Sequence, residues 1–322
     1  MSKMLRLAVL TTIAISVASL FAVAQGGVTN STKNPQQIAT LHWYSANQTA
    51  SFAVGAFPFG VAFDGANLWI VSLAGNTVTK LRANDGAVLG TFGVGQSPTG
   101  VAFDGADVWV VNQNDSTVTK LRASDGAVLG TFSVGQSQSP SHVAFDGTNI
   151  WVTNLAGKVT KLRASDGTVL GTFNAGLYPT NIAFDGANIW VTNTGSNNVT
   201  KFRASDGAVL GTFSVGSNPR GLAFDGVNIW VANAGNNNVT KLRASDGAVL
   251  GSFSVGSNPY GVVFDGANIW VVNFSSSNVT KLAAKNGASL GTFSVGQGPE
   301  EAAFDGANIW VLNVNDGTAS KL

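Results

Sequence analysis

Phe-Asp-Gly recurs seven times, at 63–65, 103–105, 145–147, 184–186, 224–226, 264–266 and 304–306, and a tryptophan follows each copy, at 69, 109, 151, 190, 230, 270 and 310. Together these copies predict an all-β, seven-bladed β-propeller of four-stranded antiparallel blades. The tryptophans are spaced by 40, 42, 39, 40, 40 and 40 residues, the length of a four-stranded blade unit of about 40–45 residues. Kelch units are nearer 50 residues, and the Gly-His and Trp-Asp signatures of WD40 blades are absent. Helices are disfavoured because no apolar stripe repeats at 3.6 residues and because Val, Ile, Thr and Gly dominate each copy.

The first element is an address. Lys3 and Arg6 precede an apolar run from Leu7 to Val23, which ends in Ala22-Val23-Ala24. This is the pattern of a secretory signal peptide over residues 1–24. The run is short for a membrane span of about 20 apolar residues, and the chain has no Cys to carry a lipid anchor. Removing Lys3 and Arg6 from 18 basic residues leaves 16 against 17 acidic ones, and no later stretch is long and apolar enough to span a bilayer. Residues 25–36, rich in Gly, Asn, Ser, Thr and Gln with Pro35, read as a flexible leader. The propeller occupies 37–322. The expected location is therefore secreted or periplasmic.

Within a copy, four strands follow in order. In the repeat 219–256, strand a is Gly221 to Phe224 and Asp225-Gly226 begins a turn. Strand b is Ile229 to Asn233, strand c is Val239 to Ala244, Ser245-Asp246-Gly247 turns again, and strand d is Val249 to Val255. Asp-Gly between β-branched and aromatic runs is a hairpin signal, because Gly takes positive φ without steric cost. Strand b is apolar on consecutive positions (Ile229-Trp230-Val231), as a strand buried on both faces must be. Strand c alternates, so its Lys and Arg are expected at a solvated outer edge.

The chain ends predict closure. Residues 38–55 align without gaps to 118–135, whereas the chain stops at Leu322 inside a c strand. The N-terminal Ser51 to Val54 is therefore expected to supply the outer strand of the last blade, which removes the open edge that a linear solenoid of seven units would leave.

Strand b ends in Trp-Val-Thr-Asn at 151–154 and 190–193, Trp-Val-Val-Asn at 109–112 and 270–273, and related forms elsewhere. With the following Asn-x-Val-Thr-Lys-Leu and Asp-Gly-x-x-x-Gly-Thr-Phe, the chain resembles the YVTN family of β-propeller repeats over about residues 38–322. The resemblance implies an exported bacterial binding or surface protein. A more distant likeness is to streptogramin-lyase propellers, which use paired His and Glu residues near a metal. This chain departs from that pattern, with His only at 42 and 142 and Glu only at 300 and 301.

Composition bounds the chemistry. Charged residues make up 11%, against about 25% in an average globular chain. With Cys absent no thiolate metal site can form, and His at 2 leaves little for His-based catalysis or His-rich metal sites. A net charge of +1 provides no basic belt for nucleic acid. The Asp of each Phe-Asp-Gly is assigned to the turn, the Trp series to blade-to-blade core, and Asn-Val-Thr at 198, 238 and 278 to strand chemistry rather than glycosylation.

The a–b and c–d turns barely vary between copies and belong to one face. The b–c and d–a loops vary and belong to the other, where recognition is expected. Read blade by blade, the d–a segments present Phe57 and Phe59, then Thr99, His142, Tyr178 with Asn181, Arg220, Tyr260, and Glu300 with Glu301. Arg220, Tyr260, the Glu pair and Phe59 form a predicted arc of neighbouring blades, with His142, Tyr178 and Asn181 completing the candidate ligand-binding set. The b–c loops add Gln113, Asn114, Asp115, Phe274, Asn315 and Asp316. His142 in blade 3 and the Glu pair in blade 7 lie nearly across the ring, so no shared metal is expected. Ser141 beside His142 is not expected to form a catalytic pair, since neighbouring side chains in a strand point apart. No G-x-S-x-G, H-E-x-x-H or phosphate-loop motif is present. The reading is a monomeric, non-catalytic binding propeller, without cofactor or metal, for a small molecule, a peptide or an envelope partner. The alternatives are an extracellular lyase or hydrolase using His142 or the Glu pair, and a structural component of the envelope or surface layer.

Overall fold

The computed structural model describes residues 50–322; the signal and leader segments assigned to 1–24 and 25–36, and the strand-c-like stretch from 38, lie outside them. The described residues form 28 strands in seven four-stranded antiparallel sheets. Blade 5 is representative: strand a is Pro219–Phe224, b Asn228–Asn233, c Asn238–Arg243 and d Val249–Ser254. In blade 7 the order runs from Ala50–Ala53 through Thr318–Lys321 and Ile309–Asn313 to Pro299–Phe304, with Phe52 opposite Ala319. The N-terminal strand is thus the outer strand of the last blade, and the ring closes.

The reason is visible in the side chains. In blades 1 to 6 the strand-d phenylalanine packs on the strand-b tryptophan, as Phe213 does on Trp190 with ring centroids 5.5 Å apart. Phe52 does the same to Trp310 at 5.1 Å. Each tryptophan also faces the next blade: Trp230 packs with Val262, Ile269, Val271 and Leu282, and Trp310 with Leu68, Ile70 and Leu81 of blade 1. The core is therefore a series of blade-to-blade layers, and six of the seven tryptophans are fully buried, with Trp270 at 8%.

The repeated Asp has a second task besides its turn. Asp225 Oδ1 accepts the backbone N–H groups of Val227 and Asn228, while Oδ2 accepts the Trp230 indole N–H at 2.8 Å. The indole donor would otherwise be buried unpaired, a cost of about 1–3 kcal/mol. All seven blades repeat this bond, at 2.7–2.8 Å.

The strand-c lysines do not behave as the alternating pattern suggested. Lys80, Lys120, Lys161, Lys201 and Lys241 are buried. Lys201 Nζ lies 5.1 Å from the Trp190 ring centroid and donates to Ala244 O of the next blade at 2.7 Å. The ammonium is drawn inward by the indole face and by carbonyls exposed at the neighbouring c–d turn. Lys321 of blade 7 donates to Ala83 O of blade 1 at 2.8 Å, so the ladder crosses the seam. The arginines at the ends of strand c are solvated, in i,i+3 pairs such as Arg243–Asp246.

The buried Asn that ends strand b explains the Asn-Val-Thr repeats. Asn233 Nδ2 donates to Asn238 Oδ1 and Thr240 Oγ1, both at 2.8 Å. Gly247, at φ +77, lies where a Cβ would collide with the Phe213 ring of the preceding blade, so the Ser-Asp-Gly turn needs glycine for both space and backbone.

Candidate functional site

The a–b and c–d turns meet on one face, as in the bond from Ala244 N to Val227 O, and the b–c and d–a loops meet on the other, as in Ala234 N to Asn218 O. The site lies at the varied face, around the axis. It is built from one repeated segment, Pro-x-x at the start of strand a: Pro58-Phe59-Gly60, Pro98-Thr99-Gly100, Pro140-Ser141-His142, Pro179-Thr180-Asn181, Pro219-Arg220-Gly221, Pro259-Tyr260-Gly261 and Pro299-Glu300-Glu301.

Each of these strands carries a register shift directly after the proline. Pro219 faces Asn233 but Leu222 faces Val231, and the other six blades do the same. One extra residue interrupts the alternation, so consecutive side chains can both reach the axis. A cavity of about 60 Å³ is consequently lined by Phe59, Ser141, His142, Thr180, Asn181, Arg220, Gly221, Tyr260, Glu300 and Glu301. This contradicts the expectation that neighbours in the strand point apart: Ser141 Oγ is 3.0 Å from His142 Nδ1.

The expectation that His142 and the Glu pair lie too far apart to meet is also overturned. His142 Nε2 is 3.7 Å from Glu301 Oε2, and Asn181 Nδ2 donates to the same oxygen at 3.4 Å. The cause is the last position of Pro-x-x, which is glycine in blades 1, 2, 5 and 6. With no side chains from Gly60, Gly100, Gly221 and Gly261, the three long ones cross the axis. Neighbouring backbones close in where the glycines sit; a Cβ at Gly100 would lie 2.8 Å from His142 Cα. His142, Asn181 and Glu301 line both the mouth and a second cavity of about 190 Å³ walled by Val61, Val101, Val143, Ile182 and Leu222. They form the waist of the channel.

Strand b holds two of these residues in place. The bulge leaves backbone N–H groups unpaired, and in blades 3 and 4 a threonine takes them: His142 N and Asn181 N donate to Thr153 Oγ1 and Thr192 Oγ1, both at 3.0 Å. The same hydroxyls donate to Thr180 O and Arg220 O of the next blades. The Thr of Trp-Val-Thr-Asn therefore occurs in the two blades whose channel residue is His or Asn.

At the mouth, the Arg220 guanidinium carbon lies 5.0 Å from the Tyr260 ring centroid, and Tyr260 packs on Phe274 of its b–c loop at 5.2 Å. Arg220 Nε is buried without a hydrogen-bond partner, and among the described residues no carboxylate stands within ion-pair distance of this guanidinium. Burial and the adjacent Glu301 charge push the Glu300 carboxyl up to about 8 against the pull of Arg220. Burial raises the Tyr260 hydroxyl, with Arg220 opposing and Glu300 adding.

The structure thus gathers Arg220, Tyr260, Glu300, Glu301, Phe59, His142 and Asn181 around one cavity. Tyr178 is not among its lining residues. It sits just before Pro179 at φ +52, in the position held by Asn218 (φ +54) and Asn258 (φ +56), and this left-handed turn leaves its side chain 62% exposed. Phe57 is the same case. Ser141 and Thr180 were not in the candidate set; the Pro-x-x alignment between copies would have flagged them.

The sequence matches no known family model and no curated protein. Among solved structures, a hydrazine synthase of Kuenenia stuttgartiensis is similar with a TM-score of 0.73 and 20% identity, over 83% of this chain and 95% of that one. A streptogramin B lyase is similar with a TM-score of 0.74 and 18% identity, over 85% of this chain and 96% of that one. Both are β-propellers, and at these identities the likeness concerns fold alone: the chain is a seven-bladed β-propeller with closed N-terminal strand pairing.

Proposed function

We propose that this chain is an exported, non-catalytic binding propeller of the YVTN-repeat type, which holds a small polar ligand at the channel mouth. One observation carries the reading. Arg220 is pre-positioned on Tyr260 at the wall of a cavity, with no carboxylate within ion-pair distance among the described residues. A guanidinium oriented by stacking loses little further freedom on binding, and its planar donors suit an oxygen-rich group. The test is a thermal-shift screen of the purified chain against a metabolite library, repeated with Arg220→Ala. Ligands found with the wild type are expected to lose at least about tenfold in affinity in the variant, the worth of a charge-assisted hydrogen bond. Hits that bind the variant equally well place binding elsewhere and defeat the reading.

A second reading has its own observation. Ser141 Oγ lies 3.0 Å from one ring nitrogen of His142 and Glu301 Oε2 3.7 Å from the other, and one similar fold is a streptogramin B lyase. A serine on one ring nitrogen and a carboxylate facing the other is an arrangement that can move a proton. Turnover of a candidate substrate that is abolished by His142→Ala would favour this lyase or hydrolase over simple binding.

A further inference from the structure

We propose that the ligand of the channel mouth is a small zwitterion of the α-amino acid class, its carboxylate on Arg220 and its ammonium between Glu300 and Glu301. The inference rests on the binding reading above and specifies its chemistry. Two unmet demands of opposite sign face one cavity. On blade 5, the Arg220 guanidinium lines the cavity with no carboxylate within ion-pair distance among the described residues. On blade 7, two adjacent glutamates are brought to the same wall by the strand-a bulge. Among the described residues Glu300 has no cation within ion-pair distance, and Glu301 has only the His142 ring at 3.7 Å. An anion alone would satisfy Arg220 but stand against the Glu301 carboxylate. A cation alone would do the reverse. A group carrying both charges on neighbouring atoms answers both walls at once.

Size agrees. A cavity of about 60 Å³ has room for about four to six non-hydrogen atoms, taking 10–15 Å³ for each water-sized centre. The amino acid head, one nitrogen, one Cα and a carboxylate, is of that size. Phe59 at the rim offers apolar surface to the side chain.

The proposal makes a proton move in a stated direction. The groups facing Glu300 are Glu301 beside it, Arg220 from blade 5 and Tyr260 from blade 6, with the His142 ring beyond Glu301. Burial and Glu301 keep the empty site's Glu300 protonated at neutral pH. An arriving ammonium favours its ionised form, so binding releases the proton to solvent. An anion alone has no reason to release it.

The experiment is isothermal titration calorimetry of the full chain at about pH 6.5, in two buffers of different ionisation enthalpy. The probes are L-alanine and L-phenylalanine, their amides, which carry only the cation, and their N-acetyl derivatives, which carry only the anion. An amino acid is expected to bind at least about tenfold tighter than either of its derivatives, with close to one proton released per ligand. Arg220→Ala is expected to weaken binding, and Glu300→Gln to remove the proton release while the fold, checked by circular dichroism, persists. If the N-acetyl derivatives bind as well as the amino acids and still depend on Arg220, the zwitterion proposal fails and the anion-binding reading stands. If no probe binds, the zwitterion proposal fails, and the library screen with Arg220→Ala decides the broader reading independently.

Discussion

Glu300 shows how one side chain reports on its surroundings. Its carboxyl is pushed up to about 8 from 4.5, by burial first and by Glu301 second. A carboxylic acid that holds its proton more tightly when folded makes the folded state the better proton binder between those values. Stability therefore falls as pH rises from about 4.5 to about 8. In urea unfolding across this range, the midpoint of the wild type is expected to drop relative to Glu300→Gln; parallel profiles would contradict the burial described. Asp64, Asp185, Asp225, Asp265 and Asp305 of the same series behave oppositely. Burial alone would raise Asp225, but the Trp230 indole, Asn228 and backbone N–H groups outweigh it and hold the carboxyl below the usual range. Their contribution is present above about pH 3.8 and is lost as pH falls further. In the sequence Asp225 was legible as a turn former but not as the indole acceptor, because the partner lies five residues away on the next strand. The burial of strand-c lysines such as Lys201 is illegible for a related reason: alternation tells which face a side chain takes, not that an indole and a neighbouring carbonyl await it there.

At the scale of the strand, the seam is the informative element. The alignment of the N-terminal segment with later c–d hairpins is enough to assign Ser51 to Val54 to blade 7, one residue from the observed Ala50–Ala53, and Phe52 occupies the place of the other strand-d phenylalanines. Phe52→Ala removes the ring from Trp310 and should cost about 2 kcal/mol. Hydrogen exchange is expected to show protection lost first at Thr318–Lys321, the strand that Ala50–Ala53 covers. Unchanged protection there would mean that the seam does not depend on this contact. Strand a carried the feature that the sequence did not disclose. Nothing in Pro-x-x announces a one-residue register shift, yet that shift decides that Ser141 meets His142 and that Glu300 and Glu301 share a wall. Tyr178 lies away from the cavity for a similar reason, since only the backbone reveals that its position is the left-handed turn residue.

For the whole molecule, near-identical blades isolate what differs. Fold, blade number and closure followed from repetition, because every copy repeats the same burial pattern. The placement of the candidate set at the varied face also followed, since invariant turns need only geometry. Contacts across the axis did not follow, because they depend on four glycines leaving room for three long side chains from blades 3, 4 and 7. The resulting channel has a waist of His142, Asn181 and Glu301 and a mouth where a stacked guanidinium faces two carboxyls. The central claim, that this mouth takes a small ligand with Arg220 as anchor, is tested most directly by a crystal structure of the chain soaked with L-alanine or with a hit from the library screen. Density is expected in the cavity, with an oxygen of the ligand within about 3 Å of the Arg220 guanidinium. Ligand density confined to the outer rim or to the plain face, with the mouth holding only solvent, would contradict it.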